Sequence, residues 1–298
     1  MTRITLLDGG MGQELLARTG DDPTPLWATQ VMLDHPDVVR AIHADYFAAG
    51  ATVATTNTYA IHHDRLDRFG LDHLFETLHL KAVSQAKEAR AAHGSGRIAG
   101  SLGPLVASYR PELCPPPQEA AAKYAEIVAL LSPHVDLFLC ETMASVAQAE
   151  GVLRGAAAGG RPVWLSVTVD DTDGTRLRSR EPVADLAPLV AQYRPAAVLV
   201  NCSVPEAMAA ALAEVARFGV PFGAYANGFT HISDAFKADA PTVDALEARH
   251  DLTPEKYAAF AMGWVGQGAS IVGGCCEVGP AHIAALAAAL RAAGHEIV

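Results

Sequence analysis

Ser270-Ile271-Val272-Gly273-Gly274-Cys275-Cys276, near the C-terminus, is a short β-branched run that stops at two glycines and two adjacent cysteines. Neighbouring side chains on a strand point to opposite faces. For both sulfurs to reach one point the backbone has to leave the extended form, which glycine permits. Zinc is the expected common target, because it takes thiolates in tetrahedral geometry and a catalytic site keeps the fourth position open. Two protein ligands are few, and Cys202 in Val200-Asn201-Cys202-Ser203 is the candidate third. The alternative is a vicinal thiol pair that is simply buried, or oxidised as a redox switch.

Seven runs upstream share the form of this one: short, apolar, and ending in a polar residue or a turn. They are Ile4–Leu7 before Asp8-Gly9-Gly10, Thr52–Thr56 before Asn57, and Arg97–Ser101 before Gly103-Pro104. Then follow Asp136–Cys140 before Glu141-Thr142, Pro162–Val169, Ala196–Val200 before Asn201-Cys202, and Pro221–Ala226 before Asn227-Gly228. Helical spacing follows each: Asp37–Ala49, Leu71–Ala92, Pro117–Leu131, Val146–Ala158, Val183–Tyr193, Pro205–Phe218, Thr253–Gln267 and Ala281–Ala293. Thr253 and Pro254 suit the cap and first position of their helix. Apolar strands alternating with helices imply a parallel sheet. Eight such units with no candidate linker predict an α/β chain whose residues 1–298 form a single (β/α)8 barrel. An open doubly wound sheet is the competing architecture, but no Gly-x-Gly-x-x-Gly follows the first strand.

Barrel active sites are built from the C-terminal ends of the strands. Asp8, Asn57, Ser101, Glu141, Asn201, Cys202, Asn227, Cys275 and Cys276 all fall there. Three thiolates against one zinc leave an anionic site, poorly suited to making hydroxide from water, where neutral histidines serve better. Such a site suits holding an incoming thiol as a thiolate, since a free thiol of pKa ~8.5 is mostly protonated at neutral pH. The expected chemistry is attack of a small-molecule thiolate on carbon. Asp8 and Glu141 read as a grip on a substrate ammonium; a structural bond to a loop amide competes for Asp8. The Ser101-Leu102-Gly103 backbone offers amides to a carboxylate, and Asn57, Asn201 and Asn227 complete the expected substrate contacts. Trp27, Tyr59, Tyr109, Tyr225 and Phe229 lie in or beside rim loops, where aromatic faces attract onium groups; Trp27 is the preferred one. Cys140 is expected to face the helices if Glu141 faces the barrel mouth, and Cys114 to sit in a loop. His62-His63 reads as solvated, His282 as structural at a helix start, and Arg176, Arg178 and Arg180 as a solvated face beside the acidic loop 170–174.

The totals agree. With 50% hydrophobic and 18% charged residues the chain is globular and not disordered. A net charge of -11 argues against nucleic acid, which wants a basic stripe. No run approaches the ~18 apolar residues of a membrane span, and the start leads into a strand, unlike a signal peptide. Five cysteines without small-domain spacing fit a reducing cytoplasm.

Together these residues resemble the zinc-dependent homocysteine S-methyltransferases. That family includes the betaine– and S-methylmethionine–homocysteine methyltransferases and the homocysteine domain of cobalamin-dependent methionine synthase. The likeness runs from Leu7-Asp8-Gly9-Gly10-Met11-Gly12-Gln13-Glu14-Leu15 to the stretch from Gly273 to Ile283. Between them lie Thr56-Asn57-Thr58-Tyr59, Gly100-Ser101-Leu102-Gly103-Pro104, Glu141-Thr142 and Asn201-Cys202. The resemblance implies a (β/α)8 barrel and zinc on Cys202, Cys275 and Cys276, with the homocysteine sulfur filling the fourth position. It implies Asp8 and Glu141 on the amino group, Ser101 to Gly103 on the carboxylate, and methionine as product. Gln13 stands where many members have Thr, and Ala226 where Pro is common. Thr142 replaces an aromatic residue of betaine-using members, which favours S-methylmethionine or a related onium donor. Two alternatives remain: the homocysteine-binding subunit of a split cobalamin-dependent synthase served by a corrinoid protein, and a non-catalytic thiol-binding or redox-sensing module.

Overall fold

In this computed structural model, residues 2–26, 28–237 and 242–298 are described. Among the described residues the short apolar runs become eight of nine parallel strands: β1 Arg3–Leu6, β2 Val53–Thr55, β3 Arg97–Leu102, β4 Leu137–Met143, β5 Val163–Val167, β6 Ala197–Asn201, β7 Phe222–Tyr225, β8 Ile271–Val272 and, as the ninth, β9 Glu296–Ile297. Their order is β2-β3-β4-β5-β6-β7-β8-β1-β9. The ends meet: Leu7 bridges Val53 in parallel, and Thr52 N–H donates to Leu6 O at 2.7 Å. β1 to β8 therefore form the expected (β/α)8 barrel. β9, which carries no strand signal of its own, pairs with β1 through Arg3↔Glu296 and Ile4↔Ile297. Thr52 Oγ1 fastens it by donating to Val298 O at 2.7 Å.

Side-chain alternation builds two cores from one set of strands. Leu137, Leu139, Ala197 and Leu199 point into the barrel with Leu7, Val53 and Ile271. Phe138, Cys140, Val198 and Val200 point outward, against the helices. Burying one such Leu stabilises by ~1.5–3 kcal/mol. The same alternation carries past the strand ends. With Leu137 and Leu139 inside and Cys140 outside, Glu141 faces the barrel mouth.

The helices are α1 Met11–Thr19, α2 Ala28–Asp34, α3 Pro36–Ala49, α4 His63–Asp67, α5 Phe75–His93, α6 Pro117–Leu131, α7 Val146–Ala156, α8 Ala187–Tyr193, α9 Pro205–Val215, α10 Pro254–Gly266 and α11 Pro280–Ala292. Thr253 Oγ1 caps α10 by accepting from Lys256 N–H. The short helices α1, α2 and α4 have no counterpart in the expected pattern. The helix expected over 183–193 is split into a 3-10 turn at Val183–Leu186 and α8. Pro188 is the cause: without an N–H it cannot continue the α ladder back to Ala184. α5 starts at Phe75 and not at Leu71, because a 3-10 turn at Asp72–Leu74 precedes it.

Candidate metal centre and active site

β6 stops at Asn201, and Cys202 turns out of the sheet with φ 52°, a left-handed conformation. Asn201 is buried and spent on this turn. Its Oδ1 accepts from Thr142 N–H at 3.0 Å and Ser166 Oγ at 2.8 Å, and its Nδ2 donates to Thr142 Oγ1 at 2.9 Å. Thr142 is also left-handed, at φ 65°, so one buried amide joins the ends of β4 and β6.

The glycines after β8 are there for space. Neither has a positive φ. A Cβ on Gly273 would lie 2.4 Å from Leu7 Cβ, and one on Gly274 2.2 Å from Val278 Cγ1, closer than real Cβ atoms come. Buried Tyr257 on α10 donates to Gly273 O at 2.6 Å and accepts from Ala226 N–H at 3.1 Å. The Cys275 amide donates to Ala226 O at 3.0 Å. The ends of β7 and β8 are thus pinned together, and His282 Nδ1 accepts from Gly279 N–H at the start of α11.

These turns place the sulfurs of Cys202, Cys275 and Cys276 within 4.8 Å of one another, with Cys202 and Cys276 at 3.9 Å. Bonds of ~2.3 Å in a tetrahedron put two sulfurs ~3.8 Å apart, so the spacing suits one metal ion. The thiols also behave as a set. Hydrogen bonds from Cys275 and Cys276 hold the Cys202 thiol well below its ordinary pKa, and their bonds to Cys202, with burial and its charge adding to them, push the other two well above theirs. Full ionisation of three clustered thiols needs a cation.

The sulfurs border a cavity of about 460 Å³ at the C-terminal mouth of the barrel. Asp8 and Glu141 line it. No Lys, Arg or His is among the described residues that do. Thr55 holds Asp8 through its N–H at 2.6 Å and its Oγ1 at 2.9 Å. Burial still pushes this carboxyl up to about 7, against the lowering effect of those bonds. Glu141 accepts from Ser101 Oγ at 2.5 Å and Tyr225 Oη at 3.3 Å. Burial pushes it up to about 8, opposed by the Ser101 bond and helped by charge at Cys202 and Asp8. Two buried carboxyls without a cation are a place prepared for a cationic group.

The expected contacts divide accordingly. Asn57 lines the cavity and donates from Nδ2 to Ala28 O at 3.1 Å. Tyr59, Tyr109, Tyr225 and Phe229 line it too. Ser101, Leu102 and Gly103 do not reach its wall. The Ser101 amide donates to Thr56 Oγ1 at 3.0 Å, and a Cβ on Gly103 would meet Tyr59 O at 2.4 Å. Asn227 is buried beneath the rim, its Oδ1 accepting from Phe229 N–H. Trp27 lies outside the described residues. Phe236 and Leu246 join the lining. They stand in a polar stretch after β7 whose pattern gave no sign of them.

Three readings outside the sulfur cluster change. His62 is buried edge-on to Tyr124, not solvated, and burial drives its pKa well down. His63 is half-buried between Asp72 and Glu126. Arg178, expected on a solvated face, is largely withdrawn from solvent in a bidentate pair with Asp171. Cys140 is core as expected, and Cys114 is a half-buried loop residue. None of the helices is long and apolar enough to cross a membrane, among the described residues.

Comparison with known proteins agrees with this geometry. The family model described as homocysteine S-methyltransferase matches residues 5–290. The chain is 31% identical over 303 residues to a homocysteine S-methyltransferase of Escherichia coli, covering 96% of this chain and 94% of that protein. It is 29% identical to a methionine synthase of Mycobacterium tuberculosis, covering 97% of this chain but 25% of that protein. Its fold superimposes on the crystal structure of the metallated form of the homocysteine methyltransferase MmuM from Escherichia coli. The TM-score is 0.80 and the identity 28%, with 96% of each chain covered. Cysteine cluster, barrel mouth and relatives concur, and the chain belongs to the homocysteine S-methyltransferase family.

Proposed function

We propose that this enzyme transfers a methyl group from a small onium donor, S-methylmethionine in the first instance, to the thiol of L-homocysteine, giving methionine. The observation that carries the reading is the cavity: three clustered sulfurs beside two buried carboxyls, with no Lys, Arg or His in the described lining. Zinc on Cys202, Cys275 and Cys276 would keep an added thiol deprotonated and nucleophilic near neutral pH. Asp8 and Glu141 take the homocysteine ammonium, which restores their ionised forms. Ser101 Oγ and Tyr225 Oη aim the Glu141 carboxylate. Ser101 to Gly103 therefore act by shaping Glu141 and the Tyr59 wall rather than by presenting amides.

The homocysteine sulfur forms its bond to the methyl carbon as the donor's S–CH3 bond breaks. The bonding pair leaves with the departing thioether, which is neutral. Thiolate and sulfonium charges cancel along this path, so a water-poor site favours it. Tyr109, Phe229, Ile232 and Phe236 pack over Cys202 and supply that apolar wall. Three reactive thiols suit a reducing compartment, which supports a cytoplasmic location. A second reading has one observation in its favour: the chain matches a quarter of a methionine synthase. On that reading a separate corrinoid protein is the donor.

The test is zinc content together with methionine formation from homocysteine and S-methylmethionine, betaine or a methylated corrinoid protein, in wild type and Cys202→Ser. About one zinc per chain and turnover with S-methylmethionine, both lost in the variant, support the reading. Turnover with the corrinoid protein alone transfers the case to the second reading, and metal-free reduced protein refutes the zinc site.

A further inference from the structure

Asp171 and Arg178 stand in the loop after β5, in an acidic and arginine-rich stretch. Their side chains are only 12% and 9% exposed. Arg178 Nη1 donates to Asp171 Oδ2 at 2.8 Å and Nη2 to Oδ1 at 2.7 Å. An ion pair so largely withdrawn from solvent is a poor source of stability, because desolvation offsets most of the attraction. What the pair touches is therefore the informative part.

Its contacts lead to two walls of one cavity. Towards the sulfur cluster, Arg178 Nη2 donates to Cys202 O at 3.3 Å, and Asp171 Oδ1 accepts from Val204 N–H at 3.1 Å. The same Cys202 carbonyl accepts from Thr168 Oγ1 at 3.2 Å, and Thr168 Oγ1 in turn accepts from Arg178 Nε at 3.3 Å. Towards the apolar wall, Asp171 Oδ2 accepts from Ile232 N–H at 3.2 Å. The guanidinium also lies over the Tyr109 ring, 5.2 Å from its centroid, and that ring leans on Phe236 at 5.9 Å. A left-handed backbone costs a residue with a Cβ ~1–2 kcal/mol. The peptide after Cys202 therefore relaxes unless it is held, and these donors hold it.

We propose that the Asp171–Arg178 pair is a positioning device that keeps Cys202 and the Tyr109–Ile232 wall in one register. Bound acceptor sulfur and donor methyl then meet in line. The inference rests on the zinc-dependent methyl transfer proposed above. Neither residue touches the reacting atoms; both act through the groups they hold. The arginine is specific to the task. Its planar fork meets the carboxylate at two points while its face stacks on the tyrosine, and lysine does neither.

The experiment uses full-length reduced protein and compares wild type with Arg178→Lys and Asp171→Asn. Zinc affinity is measured by competition with a chromogenic chelator, without substrates. The KM values of S-methylmethionine and of homocysteine are measured at saturating zinc. Zinc affinity should weaken about tenfold or more, the usual effect of losing a group that orients a metal ligand. The S-methylmethionine KM should rise by a similar factor, and the homocysteine KM by less than about threefold, because Asp8 and Glu141 are untouched. A merely structural role lowers Tm without separating the two KM values. Unchanged zinc affinity, or an equal rise in both KM values, overturns the proposal. If neither variant folds, Thr168→Val decides. It removes one donor from Cys202 O and touches neither Tyr109 nor Ile232; Arg178 loses its Nε acceptor but keeps the two-point bond to Asp171 that sets it over Tyr109, so zinc binding should weaken and the donor KM be spared; a raised donor KM refutes the division of labour. Wild-type protein that binds zinc but transfers no methyl from S-methylmethionine sinks the donor reading, and the zinc measurement still tests the pair.

Discussion

Glu141→Gln should make the protein more stable and a worse enzyme, and the size of the first effect follows from burial. The carboxyl's ordinary pKa is 4.5, and in the folded protein it is about 8. Above pH 4.5 the unfolded chain gives up this proton while the folded chain keeps it. The unfolded state then binds fewer protons, so folding stability falls as pH rises, until both forms are ionised above about 8. At pH 7 the cost is roughly 3 kcal/mol, and it vanishes below about pH 4. Glutamine keeps the shape without carrying that cost: its Oε1 accepts from one of the two hydroxyls, Ser101 Oγ or Tyr225 Oη, and its Nε2 donates to the other. Removing the charge also removes the partner of the substrate ammonium. A lost buried charge pair of at least ~2 kcal/mol raises the homocysteine KM about thirtyfold or more. The assay is urea unfolding of metal-free, reduced wild type and variant between pH 4 and 8, alongside methyl-transfer kinetics of the zinc-loaded forms. The stability curves should separate as pH rises and converge at the acid end. A variant less stable than wild type at pH 7, or a gap that does not change with pH, refutes the reasoning.

Three further outcomes follow from the same geometry. In free protein Asp8 titrates near 7 and Glu141 near 8, so kcat/KM for homocysteine should rise as pH climbs through that region, and the acid limb should become shallower in Asp8→Asn, with only the Glu141 ionisation left; a pH profile unaltered by the substitution would argue against an ammonium contact. Gly274→Ala brings a Cβ to 2.2 Å from Val278 Cγ1 and should cost ~1–3 kcal/mol with loss of zinc affinity, read by calorimetry and metal analysis. Tyr257→Phe removes a hydroxyl that bonds both Gly273 O and Ala226 N–H and should cost about 1–3 kcal/mol, with weaker zinc binding than the parent.

Burial and pairing separate what was legible along the chain from what was not. Alternation in Leu137-Phe138-Leu139-Cys140-Glu141 told inside from outside, and the structure keeps that assignment through the last residue. The Asn201-Cys202 and Cys275-Cys276 pairs pointed to one cluster because strands six and eight end on the same rim. The role of Asn201 was not legible. An amide spent on Thr142 and Ser166 looks in sequence like one free for substrate. The glycines before Cys275 were legible as necessary, but their reason, crowding by Leu7 and Val278, was not.

The sequence by itself determined the eight strand–helix units and the gathering of Cys202, Cys275 and Cys276 on one rim. Local periodicity and residue type carry such information. Only the tertiary structure decided the closure of Leu7 on Val53, the addition of β9, the withdrawal of the Ser101 amide from the cavity and the pairing of Arg178 with Asp171. Each of these depends on partners brought together by the fold. A charged or polar side chain in a loop has no periodicity to betray which face of the protein will cover it.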